Sequence, residues 1–173
     1  EYDGKATVLF VGRLQSRKRV DLLLKACAAL VAKYQPKLVI VGDGPARKEF
    51  EILARNIYPN AEFVRSKHGV ELEPYFAKAD LFALPGTGGL AIQQAMAHGI
   101  PVIVAHGDGT QDDLVRSENG WQVTPDDLPG LTQVLQEALS DPKKLWSMGR
   151  ASYRIVAEEI NVESMVRVFV RAL

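Results

Sequence analysis

Thr7-Val8-Leu9-Phe10-Val11 runs into Gly12, and Lys37-Leu38-Val39-Ile40-Val41 runs into Gly42. Both are short, continuous apolar stretches ended by glycine, the pattern of strands buried on both faces. Between them Leu22, Leu23, Ala26, Leu30 and Val31 recur at helical spacing from Val20 to Tyr34, while Lys25 and Lys33 can face water. A helix joining two fully buried strands is the repeating unit of a parallel sheet.

The alternation continues outward from this unit. The sequence predicts a helix from Pro45 to Asn56, a strand at Ala61 to Val64, a helix at Leu72 to Lys78 and a strand at Leu81 to Leu84. A helix from Leu90 to His98 and strands at Pro101 to Val104 and Trp121 to Val123 follow. From Asp127 to Leu173 only helical patterns occur, broken at Asp141-Pro142 and at Asn161, where an Asp-Pro stop and an asparagine cap fit. The expected architecture is an α/β, Rossmann-like, doubly wound parallel sheet of about six strands with C-terminal helices. No internal repeat or linker divides residues 1–173, so a single domain is expected.

Composition narrows the function classes. The chain has 173 residues, 47% of them apolar and 24% charged, enough for one core that needs no staples. Lysine plus arginine equal aspartate plus glutamate at 21 each, which argues against a nucleic-acid or anionic-membrane partner drawn by a global field. Any anion site must be local. The one cysteine, Cys27, excludes a disulfide framework and reads as a buried structural thiol. The longest apolar runs, such as Leu38 to Val41, fall far short of the roughly 20 residues that cross a bilayer. No signal-type segment opens the chain, and its start at Glu1 rather than methionine points to a fragment of a longer protein. A cytoplasmic location is expected.

In open parallel sheets ligands bind beyond the carboxyl ends of the strands, so the loops there carry the chemistry. After the first strand comes Gly12-Arg13-Leu14-Gln15-Ser16-Arg17-Lys18-Arg19, four cations at a helix entrance, a setting suited to a diphosphate. After the second comes Gly42-Asp43-Gly44-Pro45-Ala46-Arg47, which has arginine where a dinucleotide fingerprint needs its third glycine. It reads as a tight turn with Pro45 at the first helical position. After the fourth comes Pro85-Gly86-Thr87-Gly88-Gly89-Leu90, whose glycine amides at a helix start form a cradle for phosphate or sugar oxygens.

Other side chains carry less. His98 is placed to cap its helix, His68 lies beside Lys67 where it could approach a ligand, and His106 follows the fifth strand. No histidine pair has metal-ligand spacing, so no protein-bound metal or other cofactor is expected. Asp112 and Asp113 read as the opening of a short helix rather than a catalytic dyad. There is no serine elbow and no Walker sequence.

Taken together, Val11-Gly12-Arg13-Leu14 with Lys18, Val41-Gly42-Asp43-Gly44-Pro45, Ala79-Asp80-Leu81-Phe82-Ala83-Leu84-Pro85, and Ala95-Met96-Ala97-His98-Gly99-Ile100-Pro101-Val102-Ile103 resemble the group 1 glycosyltransferases, family 4. The ordered set spans nearly the whole chain and resembles the family's C-terminal domain. The resemblance implies half of a GT-B fold, which holds the nucleotide-sugar donor, with an N-terminal acceptor domain absent from this chain. The fragment alone is then expected to be inactive.

The resemblance also implies roles. Arg13 and Lys18 would hold the donor diphosphate and stabilise charge on the leaving nucleotide, which is electrostatic catalysis without a metal. Gly12, Gly86, Thr87, Gly88, Gly89, Leu90 and Gln94 would line the donor site, and the loop at Arg65, Ser66 and Lys67 would meet the base. The family usually places two glutamates around the glycine-rich turn, at positions that fall here on Gly86 and Gln94. Backbone amides of Gly86 to Gly89 then replace the missing side chains, or donor binding is weakened; both readings stay open. The implied activity is retaining transfer of a hexose from a UDP- or GDP-type donor to a saccharide or lipid-linked acceptor, as in polysaccharide assembly. A nucleotide-sugar epimerase and a non-catalytic nucleotide-binding or scaffolding module are the alternatives.

Overall fold

The computed structural model describes residues 5–107 and 113–160. Six strands form one sheet: β1 Thr7–Val11, β2 Lys37–Val41, β3 Glu62–Val64, β4 Leu81–Leu84, β5 Val102–Ala105 and β6 Gly120–Val123. Every pairing is parallel and the order is β3-β2-β1-β4-β5-β6. β1 pairs in register with β2 from Thr7 opposite Lys37 to Val11 opposite Val41, so the two glycines that follow emerge side by side. Val8, Phe10, Leu38, Ile40, Leu81 and Phe82 are fully buried, as central strands covered on both faces must be.

Among the described residues the helices include α1 Val20–Ala29, α2 Arg47–Ile57, α3 Glu73–Phe76, α4 Leu90–Ala97, α5 Leu128–Ser140 and α6 Pro142–Ile155, which ends in a π-helical turn at Val156–Ile160. α1 packs against α2 and α5, and α4 packs against α6. Right-handed crossovers leading away from β1 in both directions put these groups on opposite faces of the sheet. α6 passes close to the turn that ends α4, because Gly149 carries no side chain: a Cβ there would overlap the carbonyl oxygen of Gly99. Asp127 and Asp141 cap α5 and α6 by accepting from the Gly130 and Lys144 amides at 2.9 and 3.0 Å.

Several boundaries differ from the expected ones. The first helix stops at Ala29, not Tyr34; Leu30 turns extended, and Ala32–Tyr34 forms a separate 3-10 turn. The Gln35 amide caps the abandoned carbonyls of Ala28 and Leu30 at 3.4 and 3.1 Å, and Pro36 disfavours helix at Gln35. Pro45 does not open the second helix. Ala46 donates instead to the Leu14 carbonyl at 3.0 Å, so docking to the neighbouring loop delays the helix to Arg47.

The predicted helix over Leu72 to Lys78 is reduced to one turn after a 3-10 segment, Gly69–Leu72. β3 is one residue shorter than predicted, β6 begins one residue earlier at Gly120, and β5 begins after Pro101, which has no N–H for the ladder. The readings at Asp112 and Asn161 and of a final helix to Leu173 lie outside the described residues.

Candidate functional site

The chain reverses its direction of travel across the sheet between β1 and β4, which are adjacent but far apart in sequence. Loops leaving such a pair diverge and open a crevice at the carboxyl edge. An open cleft of about 570 Å³ lies there, with Gly12, Arg13, Gly42, Ser66, Lys67 and Gln94 among its lining residues. A broader groove along α6, beside Trp146, Arg150 and Tyr153, lies away from these loops.

The glycines of the first two loops explain one wall. Gly12 donates to the Val41 carbonyl and Gly42 to the Val64 carbonyl, both at 3.0 Å, so the sheet ladder runs on past the strands. A Cβ at Gly42 would collide with the Gly12 carbonyl oxygen, and one at Gly44 with that of Leu14. Glycine is required for loop-on-loop packing, which is a different reason from the pyrophosphate approach of a dinucleotide fingerprint.

Arg47, at the position where that fingerprint would need glycine, has a structural task. Its guanidinium donates to the carbonyls of Gly42 at 2.8 Å, Val64 at 3.1 Å and Phe63 at 3.3 Å, and pairs with Glu51 at 2.7 Å. It ties the ends of β2 and β3 together beneath the cleft. The one local sign of this is the helical spacing of Arg47 and Glu51.

Arg13 is exposed on the cleft wall and makes no hydrogen bond or ion pair among the described residues. Lys67 reaches Glu71 at 3.1 Å, and Arg65 pairs with Asp43 at 2.7 Å, while the second Asp43 oxygen accepts from Gly44 at 2.9 Å. The Arg65 hydrogen bond and the Gly44 amide hold the Asp43 carboxyl below its ordinary range. Ser66 and His68 line the same edge, and Leu90 stands 77% exposed at the mouth.

Lys18 is placed differently from Arg13. It is only 8% exposed, and its ammonium donates to the carbonyls of Thr87 at 2.7 Å and Gly88 at 2.8 Å. Burial, and then the charge of Arg17, push it below the usual lysine range. Arg17 also donates to Thr87 Oγ1 at 3.0 Å, and the Thr87 amide donates to the Arg17 carbonyl at 3.1 Å. A Cβ on Gly86 would run into the Arg17 carbonyl oxygen and lie 2.5 Å from the carbonyl carbon of Lys18.

Of the residues predicted to form the site, the cleft wall therefore gathers Gly12, Arg13, Ser66, Lys67, Leu90 and Gln94, whereas Lys18 and Gly86 to Gly89 do not line it. The amide of Thr87 is already engaged, so it does not take part in an amide cradle. His98 caps α4 as expected, with Nδ1 2.8 Å from the Gln94 carbonyl, and it also reaches Glu73 at 2.8 Å and stacks on Phe76. Among the described residues no helix is long and apolar enough to cross a membrane.

Residues 1–155 match the family model described as glycosyl transferases group 1. A GDP-mannose-dependent alpha-mannosyltransferase of Corynebacterium glutamicum is 34% identical over 90% of this chain and 37% of its own length. A protein of the same description from Mycolicibacterium smegmatis is 38% identical over 64% of the chain and 28% of its length. Among solved structures, a sucrose-phosphate synthase of Thermosynechococcus elongatus superposes with a TM-score of 0.83 at 28% identity, covering 97% of this chain and 45% of the other. HepE of Anabaena, solved in complex with UDP, shares the fold at a TM-score of 0.83 and 22% identity over 98% of this chain and 49% of its own. The chain thus spans less than half the length of these relatives. With the loop motifs, the strand order and the match over residues 1–155 in agreement, this chain belongs to the group 1 glycosyltransferases.

Proposed function

We propose that this chain is the nucleotide-sugar-binding domain of a retaining glycosyltransferase that moves a hexose from a nucleoside diphosphate donor to a saccharide or lipid-linked acceptor. The observation that carries the reading is Arg13, a guanidinium without a partner among the described residues, on a glycine-walled cleft at the β1/β4 switch point. A diphosphate placed there gains charge-assisted, bidentate hydrogen bonds, which strengthen as negative charge collects on the leaving nucleotide. Gln94, Ser66 and Lys67 line the same cleft; in this reading the Gln94 amide meets ribose or sugar hydroxyls and Ser66 and Lys67 meet the base.

The curated relatives named above as GDP-mannose-dependent make GDP the first nucleotide to test. The acceptor would be held by a further part of the protein. The reading places transfer in the cytoplasm, peripheral to the membrane where the acceptor is lipid-linked, and requires no metal.

Arg13→Ala tests it. Loss of one charged hydrogen-bonding group costs about 1.5–3 kcal/mol, or roughly 10- to 150-fold in diphosphate affinity. Thermal unfolding should not move, because the guanidinium makes no hydrogen bond or ion pair among the described residues. Equal affinity in wild type, Arg13→Ala and Lys18→Ala would remove the assignment.

A further inference from the structure

Thr87 stands in the loop where the family resemblance would lead one to expect a ligand contact, yet all three of its polar groups face the β1 loop. Its amide donates to the Arg17 carbonyl, its hydroxyl accepts from the Arg17 guanidinium, and its carbonyl accepts from the Lys18 ammonium. Lys18 spends a second N–H on Gly88. Gly86 presses its Cα against the same backbone so closely that no side chain fits. Gln15 in turn accepts from Arg17 Nε at 2.9 Å and so fixes the direction of the guanidinium. The consequence is geometric: Lys18 is buried against the glycine turn and does not line the cleft, and Arg13 is left as the exposed cation of the β1 loop on that wall.

We propose that Arg17 and Thr87 are a positioning pair that clasps the β4–α4 loop to the β1 loop, so that a donor diphosphate gains Lys18 only by drawing it off the Thr87 and Gly88 carbonyls. Arg17 belongs to none of the residues that the family resemblance brings to the site. It acts through Thr87 rather than on the ligand. The inference rests on the donor-site reading above, because it concerns how the same cleft reaches its binding-competent state. In such a scheme apparent affinity is reduced by the fraction of molecules with the clasp closed, and loosening the clasp restores it.

The test compares wild type, Arg17→Met, Thr87→Val and the double variant in GDP and UDP titrations, with amide hydrogen exchange across residues 85–90. Thr87→Val keeps the shape of the side chain and removes only the hydroxyl acceptor. Each single variant should bind diphosphate about three- to ten-fold more tightly and exchange the Thr87 amide faster, as expected when the closed state, which does not bind, is depopulated. The double variant should gain no more than either single one, since both break the same contact. Thr87→Ser, which keeps the hydroxyl, should return both readouts to wild type, which a purely structural role would not require.

Weaker binding in Arg17→Met with Thr87→Val unaffected would make Arg17 a ligand contact and overturn the clasp. Unchanged affinity and exchange in both variants would overturn it too. Absence of binding in all of the proteins would instead defeat the donor-site reading itself, and the clasp's role in it.

Discussion

Replacing Gly86 by alanine puts the least possible atom into the tightest contact of the site. An ideal Cβ there lies 2.5 Å from the Lys18 carbonyl carbon and 2.6 Å from its Cα, where ordinary contact begins at 3.4 Å. The neighbours are backbone, so no rotamer change relieves the overlap, and the two loops must separate by roughly 1 Å. That separation carries the Lys18 hydrogen bonds, now 2.7 and 2.8 Å, beyond useful length. Overpacking costs about 1–3 kcal/mol and each of the two lost hydrogen bonds about 1 kcal/mol, so a loss of about 3–5 kcal/mol is expected. For a domain of this size that lowers Tm by roughly 6–20 °C. Circular dichroism during thermal and urea unfolding reads both quantities. A Gly86→Ala protein within about 0.5 kcal/mol of wild type would refute the close docking of the two loops. The same overlap predicts that Gly86→Glu, which writes the family's glutamate back, unfolds the loop rather than improving the site.

Further outcomes follow from other contacts. Arg47→Met should lose about 2–4 kcal/mol in urea unfolding, because carbonyls of Gly42, Phe63 and Val64 are left without their donor at a largely buried position. Arg19 has a left-handed backbone at φ 54 and pairs with Asp21 and Asp126, so Arg19→Gly exchanges relief of strain for lost ion pairs and should shift stability by less than about 1 kcal/mol, whereas Arg19→Val should cost about 2 kcal/mol or more. Burial opposes charge on His98, but hydrogen bonds to Glu73 and the Gln94 carbonyl outweigh it and hold its pKa above the ordinary 6.5. The contribution of the protonated pair is therefore complete below pH 6.5 and lost as pH rises through the higher folded value; thermal scans from pH 6 to 8 should show that slope in wild type and lose it in His98→Gln.

The sheet was legible because its strands are continuous apolar runs closed by glycine, and hydrophobic burial on two faces leaves such segments little alternative. All six appear, within a residue or so at each end. Helix ends were less legible, since they depend on partners distant in sequence: Gln35 reaching back to Ala28 and Leu30, or the Leu14 carbonyl accepting from Ala46. The site divides in the same way. Arg13 was visible as a cation in a loop after a strand, and it stands on the cleft. Lys18 was visible as a cation too, but nothing local tells that its ammonium lies over two carbonyls some 70 residues away along the chain. The roles of Arg17, Arg47 and Thr87 arise from approach between loops, which one sequence does not display.

The central claim, that the cleft at the β1/β4 switch point binds a nucleoside diphosphate, is tested most directly by calorimetric titration of this chain and of Arg13→Ala with GDP, UDP, ADP and their sugar conjugates. Saturable, one-to-one binding of one diphosphate to wild type, weakened at least ten-fold in Arg13→Ala, is the predicted result. Binding of equal strength in both proteins would contradict the claim, because it would place the ligand somewhere other than against Arg13.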